Sequence, residues 1–467
     1  MLMTMKKIMI FAAAMLLMSS CGVYNKYERP DVDTQGLIRD AVSDVDTLAV
    51  QDTASFGNLP WRAVFTDPQL QALIEQGLQK NANLQNAALT VQMYETMLKA
   101  AKLAFLPAVS IGSSASPMGT IATLHTDPSV TTKSYSIPVA ASWTLDLFGN
   151  ILSQKRSTQM KLLGMKDYQM AVRAQVISGI ANSYYTLLML DRQLAIVTEM
   201  TEMTKETWEM MKLQYQLGRV RSTGVQSAEA AYLSIQTQAN DMRRQIRSTE
   251  NALSLLIGQA GQQIPRSTLA EQSLPTEFST GVGVALLQNR PDVHNAEMQL
   301  ASCFHDVQTA RSQFYPNITV GASAAFTNSN GALNPGKWLT TLFGSLVQPV
   351  FARGALIANL KVSKLQYEQA FNTWQNAILS AGNEVSNALV NYNAYDANSK
   401  LEAQRIEVLT KNVDDTRQLY KSSGSSYLEV LTAQTQLLNA QISKVTDDFY
   451  KMQAVVSLYT ALGGGGK

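Results

Sequence analysis

Two periodicities divide the chain. Between Val225 and Leu256, apolar or small residues recur at spacings of three and four: Val225, Ala228, Tyr232, Ile235, Ala239, Met242, Ile246, Thr249, Leu253 and Leu256. A later run, Leu431, Leu438, Ile442, Val445, Phe449, Met452, Val456 and Tyr459, follows the same rule. Such alternation keeps one stripe of a helix against a neighbouring helix. Elsewhere the period is two. Tyr135, Ile137, Val139, Ala141, Trp143 and Leu145 are apolar at every second position, and so are Ile318, Val320, Ala322, Ala324 and Phe326. Val109 with Ile111, and Leu342 with Leu346, mark two further segments. These read as four strands, each of about 9–11 residues, the length of a tilted transmembrane strand.

Proline spacing sets how far the helices run. None lies between Pro138 and Pro265, and none follows Pro349. Proline disfavours a helix interior by about 3 kcal/mol, so these stretches permit long helices. Asn150 to Leu217 is predicted as one helix of roughly 100 Å, and Ala355 to Lys421 as a second. Return helices are predicted at about Val225 to Ile257 and Glu429 to Tyr459. Shorter ones are expected near Pro68 to Ala104, capped by Asp67, and near Asp292 to Phe314, capped by Asp292.

The pairing of elements reflects an internal duplication. Lys102-Leu103-Ala104-Phe105-Leu106-Pro107 matches Arg311-Ser312-Gln313-Phe314-Tyr315-Pro316, and Gly218 to Glu229 matches Ser423 to Gln434 at an offset of 205 residues. The period is far longer than a solenoid repeat, so it describes two pseudo-equivalent halves. The expected division is 1–20 signal, 21–60 extended segment, 61–260 first repeat, 261–285 connector, 286–462 second repeat and 463–467 flexible tail. Four strands cannot close a sheet in lipid, where open edges leave backbone groups unpaired. Three chains would supply twelve strands and could close. A homotrimer is therefore a physical demand of this reading.

Composition narrows the function. The chain has 467 residues, 46% hydrophobic and 16% charged, with formal net charge +2. That balance gives no reason to expect a nucleic-acid partner. Lys6 and Lys7 precede an apolar run from Ile8 to Met18, too short for the roughly 20 residues a membrane-spanning helix needs. The run ends in Leu17-Met18-Ser19-Ser20-Cys21-Gly22, which resembles a lipoprotein processing site. Cys21 is thus expected as the acylated mature N-terminus; the alternative is a plain secretory signal. Cys303 then has no partner and reads as a small apolar residue. Only three histidines occur, at 125, 294 and 305. Asp292, His294 and Glu297 could suggest a metal or catalytic cluster, but Asp292 reads as a helix cap, His294 and Glu297 sit three apart with no third ligand nearby, and no triad, phosphate loop or zinc spacing appears. No enzyme activity and no cofactor are expected. Met200, Met203, Met210 and Met211 read as core filler, with a soft-metal path as the alternative.

Three motifs carry a family resemblance: Asp67-Pro68-Gln69-Leu70 with Leu73, Ile74 and Asn81; Arg290-Pro291-Asp292-Val293 with Ala296-Glu297; and the two hairpin tips, Tyr215-Gln216-Leu217-Gly218 to Val225 and Tyr420-Lys421-Ser422-Ser423 to Val430. With these the sequence resembles the outer-membrane efflux factor family of TolC-like and OprM-like channels. The resemblance implies a mixed α and β fold: a trimeric channel whose twelve-stranded transmembrane barrel, four strands per chain, continues into a long periplasmic α-barrel. It implies a lipid-anchored passive conduit in the outer membrane, with a periplasmic adaptor and an inner-membrane pump as partners. Gly218, Arg219, Val220, Arg221 and Ser222 of the first tip, and Ser423, Gly424 and Ser425 of the second, would contact the adaptor. Glu429 and Tyr420 would line a periplasmic constriction. The latch partners of Tyr420 in some relatives fall on Ser425 and Gly224, so that latch differs here. The rival reading is a lipid-anchored periplasmic coiled-coil scaffold, which has no need of four lipid-length strands.

Overall fold

A computed structural model describes residues 25–32, 56–112, 114–118, 132–275, 290–328, 338–349, 352–422 and 426–466. The elements in chain order are α1 (Pro68–Lys80), α2 (Ala82–Leu103), β1 (Ala108–Ile111), β2 (Ser114–Met118), β3 (Thr132–Leu145), α3 (Asn150–Gln216) and α4 (Ser222–Leu256). They continue with α5 (Pro291–Ser312), β4 (Asn317–Asn328), β5 (Trp338–Val347), α6 (Ala355–Lys421) and α7 (Tyr427–Ala461). The duplication is visible in the lengths: α3 and α6 have 67 residues each, α4 and α7 have 35 each. The chain forms two compact units, one of residues 1–32, 90–165 and 295–374, the other of residues 33–89, 166–294 and 375–467.

The first unit holds an antiparallel sheet in the order β1-β3-β4-β5, with β2 also on β3. Ala108 faces Ser142 and Ser114 faces Ser136, so β1 and β2 keep one register and form a single interrupted strand. The interruption has a cause. Gly112 donates its N–H to the Pro138 carbonyl at 3.0 Å, but Pro138 has no N–H to return, so the ladder lacks a rung there. Directly opposed residues share a face. Val109, Ile111, Val139, Ala141, Trp143, Leu145, Ile318, Val320, Ala322, Leu342 and Leu346 therefore line one apolar face across the sheet. The other face carries Ser110, Ser142, Thr144, Thr319, Ser323, Thr341 and Ser345. Phe343 and Val347 depart from that pattern, Phe343 in the middle of the face. Its ring lies over Gly321, where an added Cβ would approach Cζ to 2.3 Å; only glycine leaves room for it.

Helical parts of this unit join through small polar contacts. Ser157 donates to Asp306 at 2.7 Å and lies 3.1 Å from the Ser302 hydroxyl, tying α3 to α5. Asn150 donates to Ser312 at 2.8 Å. Phe148 and Tyr315, from the two halves, stack at 4.9 Å. Residues 25–32 are held by Tyr27 against Phe304, by Arg29 on Glu297 at 2.8 Å, and by the Arg29 guanidinium over Trp374.

In the second unit, α3 and α7 lie centrally. Ile196, Val197 and Met200 of α3 pack with Ala239 of α4 and with Leu438 and Val445 of α7. Ala433 and Leu437 of α7 pack against Val413 of α6. Helices α4 and α6 thus flank the pair. The helix expected from Pro68 to Ala104 is two helices. Asn81 ends α1 in extended backbone, accepts from the amides of Asn83 and Leu84 to start α2, and donates to the Leu256 carbonyl at 2.9 Å. Asp292 also departs from expectation. Arg290 holds the cap position, Pro291 opens α5, and the Asp292 carboxylate pairs with Arg290 at 2.7 Å. Residues 463–466, expected as a loose tail, are packed: Arg173 donates to the Gly465 carbonyl and the Gly465 amide to the Tyr459 hydroxyl. Gly465 has φ +79° and a Cβ at Gly464 would strike the Tyr459 ring, so glycine permits the packing.

Asp67 caps α1 as expected and does more. It accepts from the Gln69 amide at 2.8 Å, Tyr184 at 2.6 Å, Gln272 at 2.8 Å, and the Ser267 hydroxyl. Burial pushes its pKa up, but the donors outweigh this and the net shift is downward. A carboxylate with a depressed folded pKa contributes stability above its unfolded pKa and loses it as pH falls through the folded value. Asp67→Asn should lower stability at neutral pH by about 1–3 kcal/mol. It should also flatten the loss seen in the wild type below about pH 4. Thermal melts followed by circular dichroism between neutral and acid pH check both.

Candidate functional site

The hairpin tips belong to the second unit. Helix α3 ends at Gln216 because Gly218 takes φ +71°. The Gly218 amide bonds the Tyr215 carbonyl and the Arg219 amide bonds that of Gln214, both at 2.9 Å, a glycine-terminated helix end. Arg221 then caps α4 without a side-chain bond to its amides. Leu213, Tyr215 and Leu217 are half exposed or more. Arg219, Arg221 and Ser222 are exposed and Val220 partly so. At the second tip, Ser423, Gly424 and Ser425 lie outside the described residues. Ser426 accepts from the Glu429 amide and Glu429 accepts from the Ser426 amide, a reciprocal capping box on α7. Glu429, expected at a constriction, is exposed and has this local task as well.

Just inside the tips, side chains join the hairpins. The Tyr420 hydroxyl donates to the Met211 thioether at 3.1 Å. Met211 is buried, and its methyl lies where a Cβ on Gly224 would stand at 2.8 Å. Arg417 pairs with Glu206 at 2.9 Å. Burial raises the pKa of Tyr420, and burial followed by the neighbouring Tyr420 raises that of Tyr427. Tyr420 therefore binds a sulfur, while Ser425 lies outside the described residues. Met211 is buried, as core filler should be, but its contact with Tyr420 and the pairing of Arg417 with Glu206 were not legible in the sequence, because such pairs lie about 210 residues apart. The Ser426–Glu429 box carried a readable local signal.

The other singled-out residues have structural partners. Buried Arg290 binds Asp292 and Glu384 at 2.7 Å and the Ala461 carbonyl at 3.0 Å, joining α5, α6 and the end of α7. His294 pairs with Asp167 at 2.6 Å, and Glu297 with Arg29. Burial raises the Asp167 pKa against the opposing pull of His294. Among the described residues, no group of three His, Cys, Asp or Glu side chains is placed to hold a metal. Met200 and Met211 are buried, and Met203 packs against two core clusters. Cys21 lies outside the described residues.

Residues 73–259 and 282–464, the two halves in turn, match the outer membrane efflux protein family. The cation efflux system protein CusC of Escherichia coli strain K12 is 25% identical, covering 98% of this chain and 99% of CusC. The solvent efflux pump outer membrane protein SrpC of Pseudomonas putida is 27% identical over 97% of each chain. A crystal structure of CusC shares the fold with a TM-score of 0.83 at 24% identity, covering 94% of this chain and 99% of that one. With a paired-helix body, a four-strand sheet bearing one apolar face, and a family match across both repeats, the chain belongs to the outer membrane efflux protein family and is an efflux channel subunit of the outer membrane.

Proposed function

We propose that three copies form one passive conduit: twelve strands close a barrel in the outer membrane, and the hairpins close a ring in the periplasm. The observation that carries this is the pair of open edges. Among the described residues, β1/β2 and β5 are each paired on one side only, and lipid offers no partner for the other side. The helices repeat the problem. Leu379, Val390, Leu401, Val408 and Leu419 of α6 are 50–67% exposed. They are spaced 11, 11, 7 and 11 residues apart, close to whole numbers of turns, so they form one unpartnered stripe. Helix α4 on the opposite flank exposes Leu233 and Leu255. A second copy supplies what both edges lack.

In this reading the tips meet a periplasmic adaptor, and an inner-membrane pump drives transport. CusC is named for cations and SrpC for solvents, at nearly equal similarity. That supports a wall indifferent to cargo, with selection left to the pump. Cys21 carries the lipid anchor. Tyr420 on Met211 and Arg417 on Glu206 hold the hairpins together near a constriction lined by Glu429.

Native mass spectrometry in detergent should give three chains per particle. Leu401→Asp with Val408→Asp should shift the population to monomer; a wild-type monomer that inserts in membranes would overturn the assembly. Mass spectrometry of the mature chain should show an acylated Cys21 peptide, lost in Cys21→Ser.

Gating gives a third test. An exposed ion pair contributes only about 0–1 kcal/mol, so Arg417→Ala alone should change little. Combined with Tyr420→Phe it should raise single-channel conductance in planar bilayers. Glu429→Gln keeps the capping box, which accepts Gln at that position, and should lower cation preference with assembly unchanged. Unaltered selectivity in an open, trimeric Glu429→Gln channel removes Glu429 from the constriction.

A further inference from the structure

Helices α2 and α5, of 22 residues each, enter the sheet through the same elbow. Lys102-Leu103-Ala104-Phe105-Leu106-Pro107 leads into β1, and Arg311-Ser312-Gln313-Phe314-Tyr315-Pro316 into β4. In each, the phenylalanine amide bonds the carbonyl of the cation, Phe105 to Lys102 at 3.5 Å and Phe314 to Arg311 at 3.1 Å. In each, the phenylalanine carbonyl accepts from a side chain at the end of the neighbouring strand: the Trp143 indole at 2.9 Å and the Gln348 amide at 2.8 Å. Trp143 stands on the apolar face of the sheet, and Gln348 follows Leu346 of that face by two residues. Lys102 and Arg311 are exposed. Each precedes the first apolar-face residue of its strand, Val109 or Ile318, by seven positions. Among the described residues neither cationic side chain has an ion pair or hydrogen bond. Leu106, Phe314 and Tyr315 are exposed beside them. The carboxylate nearest Arg311 along α5, Asp306, is taken by Ser157 and Lys161.

These features meet where a bilayer changes from hydrocarbon to headgroup. Tryptophan and tyrosine favour that boundary, and the headgroup layer is only about 5–7 Å deep. A cation one helical turn below an elbow stands about 5 Å under it, at the depth of the phosphates. A free anion would meet the cation but leave the apolar surface beside it in water, whereas a phospholipid covers both. The inference rests on the proposed reading of the sheet as part of an outer-membrane barrel. We propose that Lys102 and Arg311 are headgroup clamps: each binds the phosphate of an anionic phospholipid in the periplasmic leaflet, with the acyl chains laid along the apolar face.

The test uses the purified full chain in detergent, stripped of lipid and returned to phosphatidylglycerol, with uptake read by native mass spectrometry. The wild type should take up phosphatidylglycerol in preference to phosphatidylcholine. At subsaturating lipid, uptake should fall about fivefold in Lys102→Gln with Arg311→Gln, the factor expected for one cation lost from an anionic surface. Each single substitution should lose less, because the other elbow still binds. Lys102→Arg with Arg311→Lys keeps both charges and should keep the uptake. Arg243→Gln with Arg244→Gln removes the same charge from α4 and should also keep it. Equal loss in the two charge-removing double variants overturns the clamps, as does no loss in either or equal uptake of phosphatidylcholine. Excess inorganic phosphate should not displace the lipid; displacement marks a free-anion site and overturns the lipid assignment. The same spectra count chains. Failed clamps leave a trimer, whereas a monomeric wild type that takes up no lipid overturns the barrel reading as well.

Discussion

A strand in the hydrocarbon of a bilayer can place its amides only on another strand, and most of what is particular to this chain follows from that. The sheet has one continuous apolar face, built by opposing Val109 to Ala141, Ala141 to Ala322 and Ala322 to Leu342. Hydroxyl-bearing residues cover the other face, suited to water. Where a rung is missing, at Pro138, the loss falls on the short strand that is itself an edge. Where a large ring intrudes among the small polar residues, Gly321 makes room for Phe343. Both outer edges remain for another copy to fill, so the sheet becomes a closed structure only through assembly.

The helical half answers a different need, to hold long rods in fixed register along their apolar seams. A few charged and hydrogen-bonded junctions add to that packing. Arg290 draws α5, α6 and the end of α7 together. Arg266 binds Asp191 at 2.9 Å and Glu250 at 2.7 Å, joining α3 to α4, and its pKa is raised first by the bond to Asp191. Glu250 is almost fully buried, so removing Arg266 would strand a charge. Such junctions explain why a motif such as Arg290-Pro291-Asp292 can look catalytic and serve architecture instead.

The sequence revealed these features unevenly, for physical reasons. Helix extents were legible because proline-free stretches and a repeated pattern constrained them twice over; Ala355 to Lys421 emerged with the expected bounds. Strands were legible because a half-buried sheet imposes a period of two. The break at Asn81 was not, since asparagine in a polar helix face looks ordinary until its amide meets Leu256. The hydroxyl-to-sulfur contact of Tyr420 with Met211 depends on two hairpins meeting, which no local pattern encodes. Glu429 is the converse case: its Ser-x-x-Glu cap was a local signal that stood in the sequence beside its expected place at the pore.

The equal lengths of the two hairpins carry a further consequence. One residue added to a helix advances its end by about 1.5 Å and turns it by about 100°. An insertion in α3 alone would therefore lift one tip past its neighbour and swing Met211 away from Tyr420. The halves can drift in composition, as Arg219 and Gly424 have, but their lengths are yoked. Any tolerated change of one, three or four residues in the first hairpin needs a matching change in the second, so this protein can lengthen or shorten only in pairs of edits.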